Sequence, residues 1–134
     1  MTVRANVPGG LLLVGDIHIR QGHGEPSGTA AECQGRATLR IHKLKGDSLR
    51  YYDCPQVEDE TYIASIGVAR RSLSKALKNA SMDMVRRICH MTGMTIPEAV
   101  ILAGQCLEVE ICQMTGEFTT ICAMVKKRYL TEVN

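Results

Sequence analysis

Polar and ionisable residues alternate with glycines over residues 15–25, directly after the apolar run at 11–14. The polar residues are Asp16, His18, Gln21, His23 and Glu25. Side chains on a strand alternate between its two faces, so Asp16 and His18 are expected to point the same way. Polar groups gathered at a strand end and the loop leaving it are typical of a metal or hydrolytic site. A solvated loop with one hydrogen-bonded histidine is the alternative interpretation.

The elements that must position these residues are predicted to be strands. The run at 10–19 indicates a first strand, and 20–28 is rich in glycine, proline and serine, as loops are. Alternation over 29–44 indicates a second strand or a bent pair of strands. Residues 49–53 indicate a weaker third strand. The first 57 residues are therefore predicted to form a β-rich part that carries the glycine-punctuated segment.

Residues 58–134 have the pattern of a second, α+β part. Residues 61–68 indicate a strand, and apolar residues at steps of three and four predict a helix from about Leu73 to Met91, between a Ser72 cap and Gly93. A second helix opens at Thr95 with Glu98 three residues on. Alternating residues from 107 to 125 predict a hairpin. We expect an α+β fold in which a β-α-α-β-β unit places its helices on one face of an antiparallel sheet.

Composition excludes several classes of protein. The chain has 134 residues, a net charge of +2 and scattered basic clusters without interleaved aromatic residues, which argues against a nucleic-acid partner. No apolar run approaches the length of a membrane span. The six cysteines form no Cys-x-x-Cys pair, and no signal peptide precedes the first apolar run. We therefore expect a cytoplasmic protein with reduced, structural thiols.

Three segments resemble the signature of the acetamidase/formamidase family. Residues 8–11 read Pro-Gly-Gly-Leu, residues 15–25 fit Gly-Asp-x-His-x-x-Gln-Gly-x-Gly-Glu, and residues 28–32 are a small-residue run ending in glutamate. Residues 97–99 and Glu108 resemble the closing segment of the family. His23 and Glu108 stand where the family usually has aspartate. Family members are about twice as long, and this chain resembles only their C-terminal half.

The resemblance implies hydrolysis of a small linear amide to ammonia and a carboxylate, assisted by a divalent metal such as zinc. It implies Asp16, His18 and Glu25 as metal ligands, with His23 as either a further ligand or a polar loop residue. Glu25 and Gln21 are the expected catalytic residues. Glu25 would act as general base, and Gln21 would orient the amide or the water.

Glu32 is expected to stand behind the ligands and to hold His18 or the metal. The alternative to an amidase is a half-length, non-catalytic relative that serves as an oligomeric binding or scaffold protein. A half-sized β unit has unpaired strand edges that association can cover, so a homo-oligomer is expected under either hypothesis.

Overall fold

The computed structural model describes residues 1–44 and 52–131. Two short strands, β1 and β2, precede a larger α+β unit. The elements in chain order are β1 (His18–Arg20), β2 (Ala31–Glu32), β3 (Gln56–Glu58), β4 (Tyr62–Arg70), α1 (Leu73–Thr92), α2 (Ile96–Cys106), β5 (Glu108–Gln113), β6 (Phe118–Lys126) and α3 (Arg128–Thr131).

A four-stranded antiparallel sheet in the order β3-β4-β6-β5 forms the centre of the molecule. Strands β4 and β6 pair along their whole length, from Tyr62 opposite Lys126 to Arg70 opposite Phe118. Their alternate residues face α1, where the buried core includes Ile63, Ala69, Ile121, Ala123 and Val125. The predicted α+β class, with helices on one face of an antiparallel sheet, is confirmed.

Helix α1 begins and ends where its sequence predicts. The Ser72 side chain accepts a hydrogen bond from the Lys75 backbone N–H at 3.2 Å, and Gly93 closes the helix with a φ of 77°. Glycine reaches this left-handed conformation without a Cβ clash. The buried side of the helix carries Ala76, Ala80, Met84 and Ile88.

Gly67 allows α1 to lie directly on β4. A Cβ atom added to Gly67 would stand 2.1 Å from the Ala76 carbonyl oxygen and 2.5 Å from the Ala80 backbone nitrogen. Both atoms belong to the helix backbone and cannot rotate away. The absence of a side chain at this position therefore sets the distance between helix and sheet.

The second helix and the hairpin confirm their predictions. Thr95 and Glu98 form a capping box, in which the Glu98 carboxylate accepts the Thr95 N–H at 2.8 Å. Strands β5 and β6 follow as the predicted hairpin, with Gly116 at a φ of 83° in the turn.

The N-terminal part holds less strand than predicted. Of the run at 10–19 only His18 and Ile19 are in β1, and of 29–44 only Ala31–Glu32 form a strand. The backbone N–H and C=O groups of a strand need a neighbouring strand as hydrogen-bond partner. Within the described residues, the apolar run at 11–14 is paired with no other strand. Leu11 and Leu13 are each 89% exposed. Residues 49–51 of the predicted third strand lie outside the described residues.

A buried polar network fastens the segment before β4 to α1. Asp83 is 1% exposed, and its Oδ1 accepts the backbone N–H groups of Asp53 at 2.7 Å and Cys54 at 3.1 Å. Gln56 donates to the other Asp83 oxygen and accepts from Arg87 at 2.6 Å. The expected boundary between residues 57 and 58 would fall inside β3, and the two-part division stays a prediction.

Candidate metal centre

Strands β1 and β2 bring His18 and Glu32 together. Their antiparallel register places His18 directly opposite Glu32, and the register shifts between His18 and Arg20. His18 Nε2 lies 3.1 Å from Glu32 Oε2 and 3.1 Å from Asp16 Oδ1. One ligand atom from each of these three residues lies within 4.8 Å of the other two. Nitrogen and two carboxylate oxygens thus converge on one point.

The backbone conformation of Asp16, and not strand alternation, brings its carboxylate to this cluster. Its backbone has a φ of 70°, which is left-handed and uncommon for a residue other than glycine. The side chains of Asp16 and His18 do meet, as expected, but Asp16 lies outside β1. The expected cause, a shared face of one strand, is therefore wrong. The left-handed backbone at Asp16, and not the strand, directs the carboxylate toward the imidazole.

Gln21 fixes the tautomer of His18. The Gln21 side-chain oxygen lies 2.9 Å from His18 Nδ1, while its Nε2 donates to the Cys112 carbonyl oxygen at 3.0 Å. Because Cys112 orients the amide, its oxygen accepts a hydrogen bond from the Nδ1–H group, and the neutral ring then presents a lone pair at Nε2. That lone pair faces the two carboxylates.

His18 Nε2 is therefore a buried polar atom in an unfavourable electrostatic environment. It makes no hydrogen bond of suitable geometry within the described structure, although the two carboxylate oxygens stand 3.1 Å away. A cation at the convergence point, or a proton on Nε2, would remove the repulsion. The pKa of His18 is raised from its ordinary value by the hydrogen bond to Gln21 and then by the charges of Asp16, Glu32 and Glu25, against the effect of burial.

Glu25 is held beside this cluster instead of within it. Its carboxylate Oε2 accepts a hydrogen bond from Gln113 Nε2, and its backbone carbonyl accepts from the Thr115 hydroxyl at 3.2 Å. The residue is 9% exposed and has a φ of 46°. Its charge still acts on His18. A buried carboxylate on left-handed backbone is a conformation that proteins retain mostly at functional sites.

The loop between β1 and β2 is attached to the outer edge of β5. The Gly24 N–H donates to the Ile111 carbonyl at 2.7 Å, and the Met114 N–H donates to the Gly24 carbonyl at 2.8 Å. Gly24 has a φ of 74°, and a Cβ there would stand 2.8 Å from the Met114 side chain. These two bonds, with those of Gln21 and Glu25, join the N-terminal loop to the central sheet.

The structure places the remaining predicted residues as follows. His23 lies outside the three-residue cluster, with Nδ1 3.1 Å from Glu110 Oε1 and most of its side chain exposed. Glu108 binds the Tyr62 hydroxyl at 3.1 Å and Lys126 at 2.9 Å. The Lys126 hydrogen bond is the main reason why the pKa of Glu108 is lowered.

Glu32 was expected behind the ligands, and the structure brings its carboxylate to 3.1 Å from His18 Nε2. The sequence analysis did not identify Gln113 or Thr115 as part of the site. Glu32 could have been found by folding residues 18–32 into a hairpin, since that places it opposite His18. Nothing in the sequence signals that Gln113, 88 positions after Glu25, supports its carboxylate.

Comparison with known proteins gives one structural similarity. No protein-family model and no curated protein matches the chain. Among solved structures, the crystal structure of an acetamidase from Yersinia enterocolitica matches with 27% identity and a TM-score of 0.67 over 85% of this chain. The match covers 33% of the acetamidase. The chain therefore shares its fold with part of an acetamidase, which confirms the resemblance inferred from its motifs.

Proposed function

We propose that this chain is an amide hydrolase of the acetamidase type that acts with a divalent cation bound by Asp16, His18 and Glu32. The observation that carries the proposal is the buried His18 Nε2 atom, which makes no hydrogen bond and lies between two carboxylates on a fold similar to an acetamidase. One imidazole nitrogen and two carboxylate oxygens suit zinc, and three protein ligands leave a position for water or substrate. Glu32 thus replaces Glu25 as the third ligand in the proposal.

A cation at this site would polarise the amide carbonyl and lower the pKa of bound water. The other residues have separate roles. Glu25, which Gln113 holds by a hydrogen bond, would accept the proton of the attacking water and return it to the leaving amine. Gln21 keeps Nε2 of His18 directed at the proposed cation position. Both ends of its amide are already hydrogen-bonded, the oxygen to His18 and the nitrogen to the Cys112 carbonyl. The expected substrate is a small linear amide such as formamide or acetamide.

Metal binding is the first test. The full chain is stripped with a chelator, reloaded with zinc, and measured by calorimetry and elemental analysis. We expect close to one zinc per chain, and His18→Ala and Glu32→Gln should each abolish stoichiometric binding. His42→Ala is the matched control, because His42 is an exposed histidine outside the cluster. Equal zinc binding by His18→Ala and the parent chain would contradict the proposed site.

Turnover is the second test. Ammonia release from formamide and acetamide is measured for the zinc-loaded chain and for Glu25→Gln. We expect Glu25→Gln to retain zinc and to lose about 100-fold or more in rate, the usual contribution of a general base. A chain that binds zinc but releases no ammonia from either amide would exclude the hydrolase and leave the metal site intact.

The second candidate is a non-catalytic relative that functions as an oligomeric binding or scaffold protein. It is favoured by the exposed apolar run at residues 11–14. The Asp16 and Glu32 side chains are also largely exposed, so water reaches the ligands freely. This candidate predicts self-association without ammonia release.

A further inference from the structure

Two cysteines lie next to each other on neighbouring strands of the hairpin. Strand pairing sets Glu110 opposite Cys122, Ile111 opposite Ile121 and Gln113 opposite Thr120, with a register shift between Ile111 and Gln113. Cys112 is therefore the extra residue of a β-bulge and lies diagonally across from Cys122.

The strand register brings the two cysteines to neighbouring positions of the hairpin, where their side chains can interact. The Cys122 thiol donates to the Cys112 sulfur, and this bond, with a further one from Thr120, lowers the pKa of Cys112 against the effects of burial and of Glu110. The same bond, burial and the neighbouring charges raise the pKa of Cys122. Cys112 is partly exposed and Cys122 is buried. One sulfur is thus the accessible nucleophile and the other is a thiol held against it.

Other cysteines of the chain lack this arrangement. Burial raises the pKa of Cys54 to about 11, and burial also raises the pKa of Cys106. Cys33 is exposed, and its thiol lies against the Ile17 carbonyl at 3.5 Å. A thiol that stays protonated reacts slowly with oxidants, so the hairpin pair is expected to be oxidised before Cys54 and Cys106.

We propose that Cys112 and Cys122 form a reversible disulfide when the chain meets a hydroperoxide. The Cys112 thiolate attacks the terminal oxygen of the hydroperoxide, so that an S–O bond forms and the O–O bond breaks. The leaving alkoxide or hydroxide takes a proton from water, and a sulfenic acid and an alcohol or water result. The Cys122 thiol then displaces hydroxide from that sulfur, and with its proton the hydroxide leaves as water. Sulfur is oxidised and peroxide oxygen is reduced, so the electrons balance.

The contacts around the pair place this modification beside the candidate metal centre. The Cys112 backbone carbonyl accepts the hydrogen bond from Gln21 that orients its amide toward His18. The disulfide proposal does not depend on metal or on amide hydrolysis, because it follows from strand register and thiol contact alone.

The test uses the reduced, metal-free full chain at low concentration with one equivalent of hydrogen peroxide. Peptide mapping without reductant should show Cys112 joined to Cys122, and dithiothreitol should restore both thiols. With limiting peroxide, Cys112 should react at least about tenfold faster than Cys54, because the thiolate is the reactive form. A bridge to any other cysteine, or sulfinic acid at Cys112 without a bridge, would overturn the proposal.

Variants separate the two roles. In Cys122→Ala the sulfenic acid at Cys112 should persist and be trapped by dimedone, whereas Cys112→Ser should leave Cys122 unmodified. Cys89→Ser is the matched control and should form the bridge at the parent rate. Circular dichroism checks the fold of each variant, and mapping of the parent chain decides the outcome if Cys122→Ala fails to fold. Dimedone labelling of Cys122 in Cys112→Ser would contradict the assigned order.

Discussion

At the scale of single residues, the candidate centre depends on which nitrogen of His18 carries the proton. Cys112 orients Gln21, Gln21 accepts from Nδ1, and Nε2 is left as the ligand. Residues that fix a histidine tautomer in this way usually control metal affinity although they do not touch the ion. The role of Gln21 can therefore be tested apart from the role of the ligands.

Replacing Gln21 by alanine should weaken zinc binding by about 10- to 100-fold, because the ring loses its fixed tautomer and orientation. Competition with a chromophoric chelator measures the affinity. Gln105→Ala is the control, since Gln105 is exposed on α2. An unchanged zinc affinity in Gln21→Ala would show that His18 is oriented by other means.

Zinc affinity should also fall as the pH is lowered, because a proton on Nε2 competes with the metal. The pKa of His18 is raised, first by Gln21 and then by the nearby carboxylates, so this competition should begin above the ordinary histidine value of 6.5. The sign follows directly: a raised pKa keeps the proton on at higher pH and so moves the loss of metal upward. NMR titration of His18 in the metal-free chain, alongside zinc affinity at each pH, measures both quantities. A His18 midpoint below 6.5 would contradict the expected direction.

At the scale of elements, the sequence predicts correctly those helices and strands whose determining residues lie within or next to the element. Helix α1 has a serine cap, a glycine stop and an apolar stripe, and all three lie within its own residues, so its prediction holds. The capping box of α2 and the hairpin turn have equally local causes. The strand predicted at 10–19 fails because pairing partners, which no stretch of sequence carries within itself, decide whether an extended run becomes a strand.

The same distinction explains the candidate site. Asp16, His18 and Gln21 were identified because their types and spacing are local. The third member of the cluster, Glu32, depends on the register of β1 against β2. The support that Gln113 gives Glu25 depends on where the loop meets β5. The sequence thus shows which ionisable residues the loop carries, and the fold decides which carboxylates lie beside His18 Nε2.

The close contact between β4 and α1 gives a prediction at this scale. Gly67→Ala should lower the free energy of unfolding by about 3 kcal/mol, because its Cβ would overlap helix backbone that cannot move alone. Gly104→Ala is the matched control: it sits in α2 with open space around it and should stabilise the chain by up to about 1 kcal/mol. Denaturant unfolding measures both. Equal stability of the two variants would contradict this account of helix packing.

At the scale of the whole molecule, the apolar run at 11–14 is unusually exposed. Leu11 and Leu13 are each 89% exposed, and Leu12 and Val14 more than half exposed. Consecutive exposed apolar residues commonly mark a contact surface. The homo-oligomer expected from the sequence stays a prediction, and this run is the surface that we assign to it. No helix among the described residues is both long enough and apolar enough to cross a bilayer.

The double substitution Leu11→Ser with Leu13→Ser should shift the protein toward monomer, because it removes the most exposed apolar side chains of that run. Analytical ultracentrifugation over a range of concentrations measures the change. Ile101→Ser is the control, since Ile101 is an exposed apolar residue on α2, away from the run. An oligomer that survives the double substitution but dissociates with Ile101→Ser would place the interface on α2.

The attachment of Gly24 to β5 has a consequence for the solubility of the chain. Strand β5 is the outermost strand of the sheet, and its unpaired backbone groups could recruit a strand from another molecule. Gly24 occupies two of those positions, at Ile111 and Met114, and so shields part of the edge. A change that frees the loop would therefore promote aggregation as well as disturb the cluster of Asp16, His18 and Glu32. Selection against aggregation alone would retain this loop, whether or not Asp16, His18 and Glu32 bind a metal.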